Sequence, residues 1–203
     1  MINRVIVLML LLVAYVNAAG QFSNKDWYIS PKISFADYSD RNDWDGYSIH
    51  KVPPISVAAE KGLTDFLSVG ALMGLSRDKY VNDTLASNVH RYSNFALGAL
   101  ANVHVAGWIE QWTNYNVFLG DWDIYAGLSC MLEWQKVREE DVWNQSMQHF
   151  NSAEQSELKF NVRPMFGVRY FVTDNVCMLL ELGHGNMGLV TTGITFRIPH
   201  LRF

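Results

Sequence analysis

The sequence predicts an all-β protein, an antiparallel eight-stranded transmembrane β-barrel, and three features carry that expectation. The chain opens on a secretory signal, its middle alternates apolar and polar residues with a period of two, and it runs through Thr192-Gly193-Ile194-Thr195-Phe196-Arg197-Ile198 to an aromatic end at Phe203. Beyond the signal no apolar run approaches the length of a spanning helix. A bilayer admits only helices and closed barrels, because lipid cannot hydrogen-bond an open sheet edge. A composition of 49% hydrophobic and only 18% charged residues agrees with that route.

At the start, Met1-Ile2-Asn3-Arg4 supplies one positive charge, Val5 to Val16 is apolar, and Val16-Asn17-Ala18 offers small residues for cleavage. This is the pattern of a signal peptide. Its apolar run is far short of the roughly 20 residues a spanning helix needs. Residues 1–20 are therefore read as a cleaved signal and 21–203 as one barrel domain. No cysteine adjoins the cleavage site, so lipid attachment there is not expected.

The strands follow from parity. Ile29, Pro31, Ile33 and Phe35 face out in the first, with Ser30, Lys32, Ser34 and Ala36 in. The second sets Ile55, Val57 and Ala59 against Ser56, Ala58 and Glu60, and Gly62 to Asp65 turns it into a third with Leu67, Val69, Ala71, Met73 and Leu75 outward. In the fourth, Phe95, Leu97, Ala99, Ala101, Val103 and Val105 point out, while Asn94, Ala96, Gly98, Asn102 and His104 point in. The fifth, Trp122 to Trp134, turns Ile124, Ala126, Leu128, Cys130 and Leu132 outward against Asp123, Tyr125, Gly127, Ser129 and Glu133. The longest is Leu158 to Val172, whose length suits a tilted membrane strand. Pro164 lies on its apolar row and is expected to mark a bulge or a weakened pair. Across Thr173-Asp174-Asn175, pairing Val172 with Val176 puts Gly167 opposite Glu181, with Arg169 on a diagonal. Val190, Thr192, Ile194, Phe196 and Ile198 form the outer row of the last strand.

The connections alternate as such a barrel requires. Gly62 to Asp65 and Thr173 to Asn175 are short, whereas Ser39 to Pro54, Arg77 to Arg91 and Lys136 to Ser156 are long, polar and charged. The short ones are expected in the periplasm and the long ones outside. His184 to Gly188 is a short outer loop and Ala106 to Asp121 a long inner one holding Trp108, Trp112, Tyr115 and Phe118. With Trp27, Tyr28, Tyr38, Tyr92, Trp122, Trp134 and Tyr170 near strand ends, these aromatics suit two interfacial girdles.

Inward positions collect Lys32, Lys159, Arg163, Arg169 and Arg197 beside Glu60, Asp123, Glu133 and Glu181. Barrels of this size have interiors only wide enough for side chains, so these charges are expected to pair, the arginines with Glu181, Glu133 and their neighbours, and fill the lumen. Cys130 and Cys177 fall on opposite faces and are expected as free thiols. No metal site or cofactor is expected, and His104 and His184 have no ligand spacing. The net charge of -4 and the lack of a basic stripe along the sequence argue against nucleic acid.

Phe166-Gly167-Val168-Arg169-Tyr170-Phe171-Val172-Thr173-Asp174-Asn175, Glu181-Leu182-Gly183-His184-Gly185 and Gly193-Ile194-Thr195-Phe196-Arg197-Ile198 together resemble the C-terminal signature of small outer-membrane β-barrel proteins, the porin-like and opacity-like barrels of the OmpX and OmpA membrane-domain type. The chain departs from it with His184 where an aromatic is usual and with five residues beyond Ile198. The resemblance implies export to a bacterial outer membrane, insertion by the barrel-assembly machinery, and surroundings of outer-membrane lipid and lipopolysaccharide. With the lumen filled, function falls to the outer loops, where Trp44 and Trp143 are candidate anchors for an extracellular ligand. A small porin is the alternative. A lipid A modifying enzyme built on Ser76, Asp78 and His90 is a minor one, since an isolated Ser, Asp and His carry little signal. A soluble lipocalin-like barrel would need polar outer faces, which the apolar rows deny.

Overall fold

The structure is a computed structural model that describes residues 22–35, 47–82, 89–114, 119–140 and 152–199. Eight strands, β1 (Trp27–Phe35), β2 (Tyr47–Thr64), β3 (Leu67–Asn82), β4 (Val89–His104), β5 (Trp122–Glu140), β6 (Ser152–Thr173), β7 (Val176–Gly183) and β8 (Val190–Ile198), pair antiparallel in chain order. Pairing of β1 with β8, from Trp27 opposite Ile198 to Phe35 opposite Val190, closes the ring. The outward rows are apolar and exposed, as at Ile55, Met73, Leu97, Leu128, Phe166 and Leu180, while Ser56, Leu72, Ser129, Arg169 and Glu181 are buried. Cys130 is exposed and Cys177 buried, and neither is in a disulfide.

Two girdles bound the apolar surface. Trp122 and Tyr170 meet at 4.8 Å near the short-turn end, and Phe95 and Trp134 at 5.7 Å toward the long-loop end. Trp134 stands opposite Leu158 and Trp122 opposite Tyr170, twelve residues apart along each strand. At about 3.3 Å per residue and a tilt near 40°, that distance rises roughly 30 Å, the thickness of a hydrocarbon core. Two of the expected girdle residues do not belong there. Tyr28 is fully buried inside the barrel, and Tyr92 packs edge-on against the inward Tyr80 at 5.2 Å. Tyr38, Tyr115 and Phe118 lie outside the described residues.

The long outer connections are shorter than their polarity implied. Strand pairing continues through Tyr47 to Val52, Arg77 to Asn82, Val89 to Arg91, Lys136 to Glu140 and Ser152 to Ser156. Once a strand rises above the lipid both faces meet water, so the apolar alternation ends although the ladder does not. The wall is consequently lopsided. Strands β2 to β6 have 18, 16, 16, 19 and 22 residues, against 9, 8 and 9 in β1, β7 and β8.

Three local expectations are corrected. Pro164 stays in continuous register opposite Leu128, and its carbonyl accepts the His184 N–H at 2.9 Å. The carbonyl and the amide position of one strand residue point the same way, so the missing donor faces the side where β7 has already ended. The ladder irregularity falls instead at Pro53 and Pro54, between the Val52–Arg77 and Ile55–Leu75 pairs. At the β6–β7 turn, Thr173 rather than Val172 stands opposite Val176, because the Thr173 hydroxyl accepts the Val176 N–H at 3.1 Å and tightens the turn. The expected pairs above it, Gly167 with Glu181 and Arg169 with Leu179, are present. Finally, β2 runs on to Thr64, because Gly62 pairs with the N-terminal segment, its N–H donating to Asp26 O and its carbonyl accepting from Lys25 N. Between β4 and β5 the inner connection forms a short helix, α1 (Ala106–Trp112).

Replacing Phe166 or Leu180 by Arg should block folding into lipid vesicles, with a cost of about 2–4 kcal/mol near the bilayer midplane. Asn161→Arg, on the inward row, should be milder. Heat-modifiable gel migration after refolding reads the difference, and equal tolerance on both rows would contradict this topology.

Candidate functional site

The polar residues that parity turns inward meet in one connected cluster. Arg169 on β6 is fully buried. Its guanidinium pairs with Glu60 on β2 and, at 3.2 Å, with Asp123 on β5. Strands β2 and β6 are four apart in a ring of eight, so the Arg169–Glu60 pair spans the barrel from wall to wall. The cation also lies 4.5 Å from the Tyr125 ring centre and 5.4 Å from that of Tyr28. Aromatic faces and two carboxylates together offset the desolvation that burying a guanidinium demands.

Each carboxylate has further donors. Glu60 accepts from Asn102 Nδ2 at 2.8 Å and Ser68 Oγ at 3.2 Å. Asp123 meets His104 Nδ1 at 2.7 Å, and His104 Nε2 meets Ser68 Oγ at 3.0 Å. Glu181 on β7 takes Lys32 Nζ on both oxygens at 2.8 Å, the Tyr125 hydroxyl at 2.5 Å and Asn186 Nδ2 at 2.7 Å. Glycine makes the crossings fit. A Cβ at Gly167 would overlap the Tyr125 ring. Lys32 reaches Glu181 over β8, where the residue in register with Lys32 is Gly193.

This arrangement differs from the expected pairing. Glu181 is held by Lys32, not Arg169, since Arg169 stands beside Leu179 while its own chain crosses to β2. Arg163 pairs with Glu133 at 2.8 Å in a separate, partly exposed contact. Arg197 turns to Asp26 at 2.8 Å near the short-turn end, because β8 ends there beside the start of β1. Lys159 is on the inward row, in register with Glu133. Its exposed side chain turns toward the long-loop end, where it meets Glu157 at 3.1 Å and Gln135 at 3.2 Å.

Seven apolar residues, Ala58, Leu72, Ala96, Leu100, Met131, Met165 and Met187, form a second buried layer on the loop-bearing side of the charges. Met187 comes from the His184 to Leu189 connection, whose Gly185 to Gly188 are buried. At Gly74 a Cβ would lie 2.9 Å from Met187. At the opposite, short-turn mouth a cavity of about 410 Å³ is lined by Asn24, Asp65, Phe66, His104 and Trp108 among others. Phe22 stacks on His104 there, ring centres 3.6 Å apart.

Sequence reasoning placed Asn102 and Tyr125 on inward rows without giving them a role, and missed Tyr28, Asp26, Asn186 and the apolar layer. Carrying the parity of Ser30 and Lys32 back two residues would have found Tyr28. Within the Ser76, Asp78 and His90 set, Ser76 and His90 are held apart: Ser76 is in register with Asn94, and His90 with Tyr80, four positions along β3 from Ser76, roughly 13 Å away. Trp44 and Trp143 lie outside the described residues.

Gly167→Val should destabilise the protein by about 1–3 kcal/mol, read as a shifted urea midpoint in vesicles, because the Tyr125 ring must leave Glu181. Gly107→Ala, where a Cβ meets nothing within 4 Å, is the matched control and should be neutral.

No protein-family model and no curated protein sequence matches the chain. Solved structures do. The outer membrane protein OprG from Pseudomonas aeruginosa matches 91% of this chain and 100% of its own at 10% identity, with a TM-score of 0.55. The attachment invasion locus protein Ail of Yersinia pestis matches 86% of this chain and 96% of its own at 7% identity and a TM-score of 0.44. The N-terminal β-barrel domain of Pseudomonas aeruginosa OprF matches 86% of this chain and 98% of its own at 12% identity and a TM-score of 0.40. A closed ring of eight antiparallel strands, apolar outside and polar within, gives this chain the fold of the small outer-membrane β-barrels.

Proposed function

We propose that the protein is an outer-membrane scaffold, a barrel with a filled lumen that anchors and displays the structures rising above the lipid. The observation that carries this reading is the Arg169–Glu60 pair, which joins opposite walls in a fully buried setting. The apolar layer around Met187 covers the same interior on the loop side. An interior so filled has no wide path for solutes, and the tall β2 to β6 wall offers the surface that β1, β7 and β8 lack. The signal at residues 1–20 supports export, and insertion by the barrel-assembly machinery follows from the same assignment. Segments 36–46 and 141–151, which hold Trp44 and Trp143, are the proposed contacts to an extracellular ligand or to lipopolysaccharide. The cavity at the short-turn mouth favours the second reading, a small pore, because it could admit a solute from that side.

Planar-bilayer recording of the purified protein separates the two, with small, rare or absent conductance expected. A steady, large, open channel would sink the scaffold reading. Shortening 36–46 and 141–151 to tight turns should leave folding intact and abolish any surface-binding phenotype. If the phenotype survives that change but disappears on neutralising Lys32 and Glu181, the activity belongs to the lumen.

A further inference from the structure

Three segments build the cavity at the short-turn mouth. The Asp65-Phe66 turn between β2 and β3 supplies one side, held in place by the His104 N–H, which donates to Phe66 O at 2.8 Å. Helix α1 overhangs from the end of β4 and contributes Gly107, Trp108 and Gln111. The N-terminal residues close the back, where the Phe22 ring is taken up by stacking on His104 and on Tyr28. Phe66 and Trp108 are different. Their ring centres lie 5.5 Å apart at an interplanar angle of 34°, and 42% and 49% of their surfaces remain exposed. Aromatic surface is thus left open to a guest.

Two properties of the lining select that guest. The first is charge. The ionisable side chains of the lining are Asp65, Asp123 and His104, with no Lys or Arg beside them. Asp123 is committed to Arg169 and His104, whereas among the described residues the exposed Asp65 carboxylate meets the neutral amide of Asn24, at 2.5 Å, and no cation. Lys25 and Lys61 are near in sequence but do not line the cavity, and Lys61 is turned to the Trp27 ring. A carboxylate beside open aromatic faces attracts a cation and repels an anion. The second property is space. Glycine weakens a helix by about 1 kcal/mol relative to alanine, yet a Cβ at Gly107 would meet nothing within 4 Å. Packing does not require this glycine; the missing side chain leaves the cavity wall open.

We propose that the short-turn mouth binds a small organic cation, an ammonium compound whose charged head lies against the Phe66 and Trp108 rings and beside Asp65. A volume of about 410 Å³ has room for such a head and a short polar tail, to which Asn24 and Gln111 offer hydrogen bonds. The site depends on the closed barrel alone, so it stands whether or not the lumen conducts. A free solute and the amine of a phospholipid headgroup both carry this chemistry, since the Trp122–Tyr170 girdle sets this end of the barrel at a leaflet surface.

The test uses the full mature chain refolded in micelles of a neutral polyoxyethylene detergent, which carries no ammonium group. Choline is titrated in by calorimetry, with its uncharged carbon analogue dimethylbutanol in parallel. Choline should bind roughly ten-fold more tightly than the analogue. Trp108→Ala and Asp65→Asn should each weaken choline binding several-fold, with heat-modifiable migration retained. Gly107→Leu, which fills the wall and alters neither ring nor carboxylate, should do the same. Should Trp108→Ala fail to fold, the other two variants carry the comparison. Adding phosphatidylethanolamine to the micelles identifies the source: competition with choline assigns the site to a lipid headgroup, no competition to a free solute, and either result keeps the site. Equal binding of choline and its analogue, or choline binding unchanged in the folded variants, overturns the proposal. So does capture of maltotriose in place of choline, which would assign the cavity to a saccharide. A steady open channel in a protein that binds choline removes the scaffold reading and keeps the site.

Discussion

Every backbone donor and acceptor at membrane depth needs a protein partner, and that constraint governs this molecule. It is met by the β1–β8 ladder, which joins the first and last strands and leaves the ring without a terminal edge. Once closed, the wall has two faces with opposite requirements. The outer one must be apolar over a height of about 30 Å; the inner one is so narrow that it must be packed with its own side chains. Alternation along each strand meets both demands at once.

The interior resolves the second demand in two layers. Charged groups lie toward the short turns, where Arg169 is shared by Glu60 and Asp123 and Lys32 is given to Glu181. Methionines and small residues lie toward the loops, supplied partly by a connection that folds inward. Burying charges is not in itself stabilising, since the desolvation penalty can match the Coulombic gain. What the network secures is position. Each carboxylate has several donors on different strands, so a register shift of β1, β2, β5, β6 or β7 would break at least one ion pair.

The barrel was legible in the sequence because its strongest signal is local. Parity assigned the faces of Ile29 to Phe35, Leu67 to Leu75 and Phe160 to Tyr170 one strand at a time, and the Gly167–Glu181 register followed from a short turn. Pairing across the lumen was not legible. Arg169 and Glu60 are separated by 109 residues, and which of several inward acids a long side chain reaches depends on barrel shear and on the gaps left by Gly167 and Gly193. The strand extensions escaped for another reason, since above the lipid both faces are polar and the period-two signal vanishes while pairing persists.

The central claim is that the barrel interior is tied across by the Arg169–Glu60 pair, and a double-mutant cycle measures that most directly. Unfolding free energies in vesicles would be compared for the wild type, Arg169→Met, Glu60→Leu and the double variant. Removing one partner of a buried pair leaves the other charge uncompensated and should cost about 3–5 kcal/mol. The double variant should therefore be less destabilised than the sum of the singles by roughly 1–3 kcal/mol. Strict additivity would contradict the account, because it would mean that the two side chains do not meet in the folded barrel.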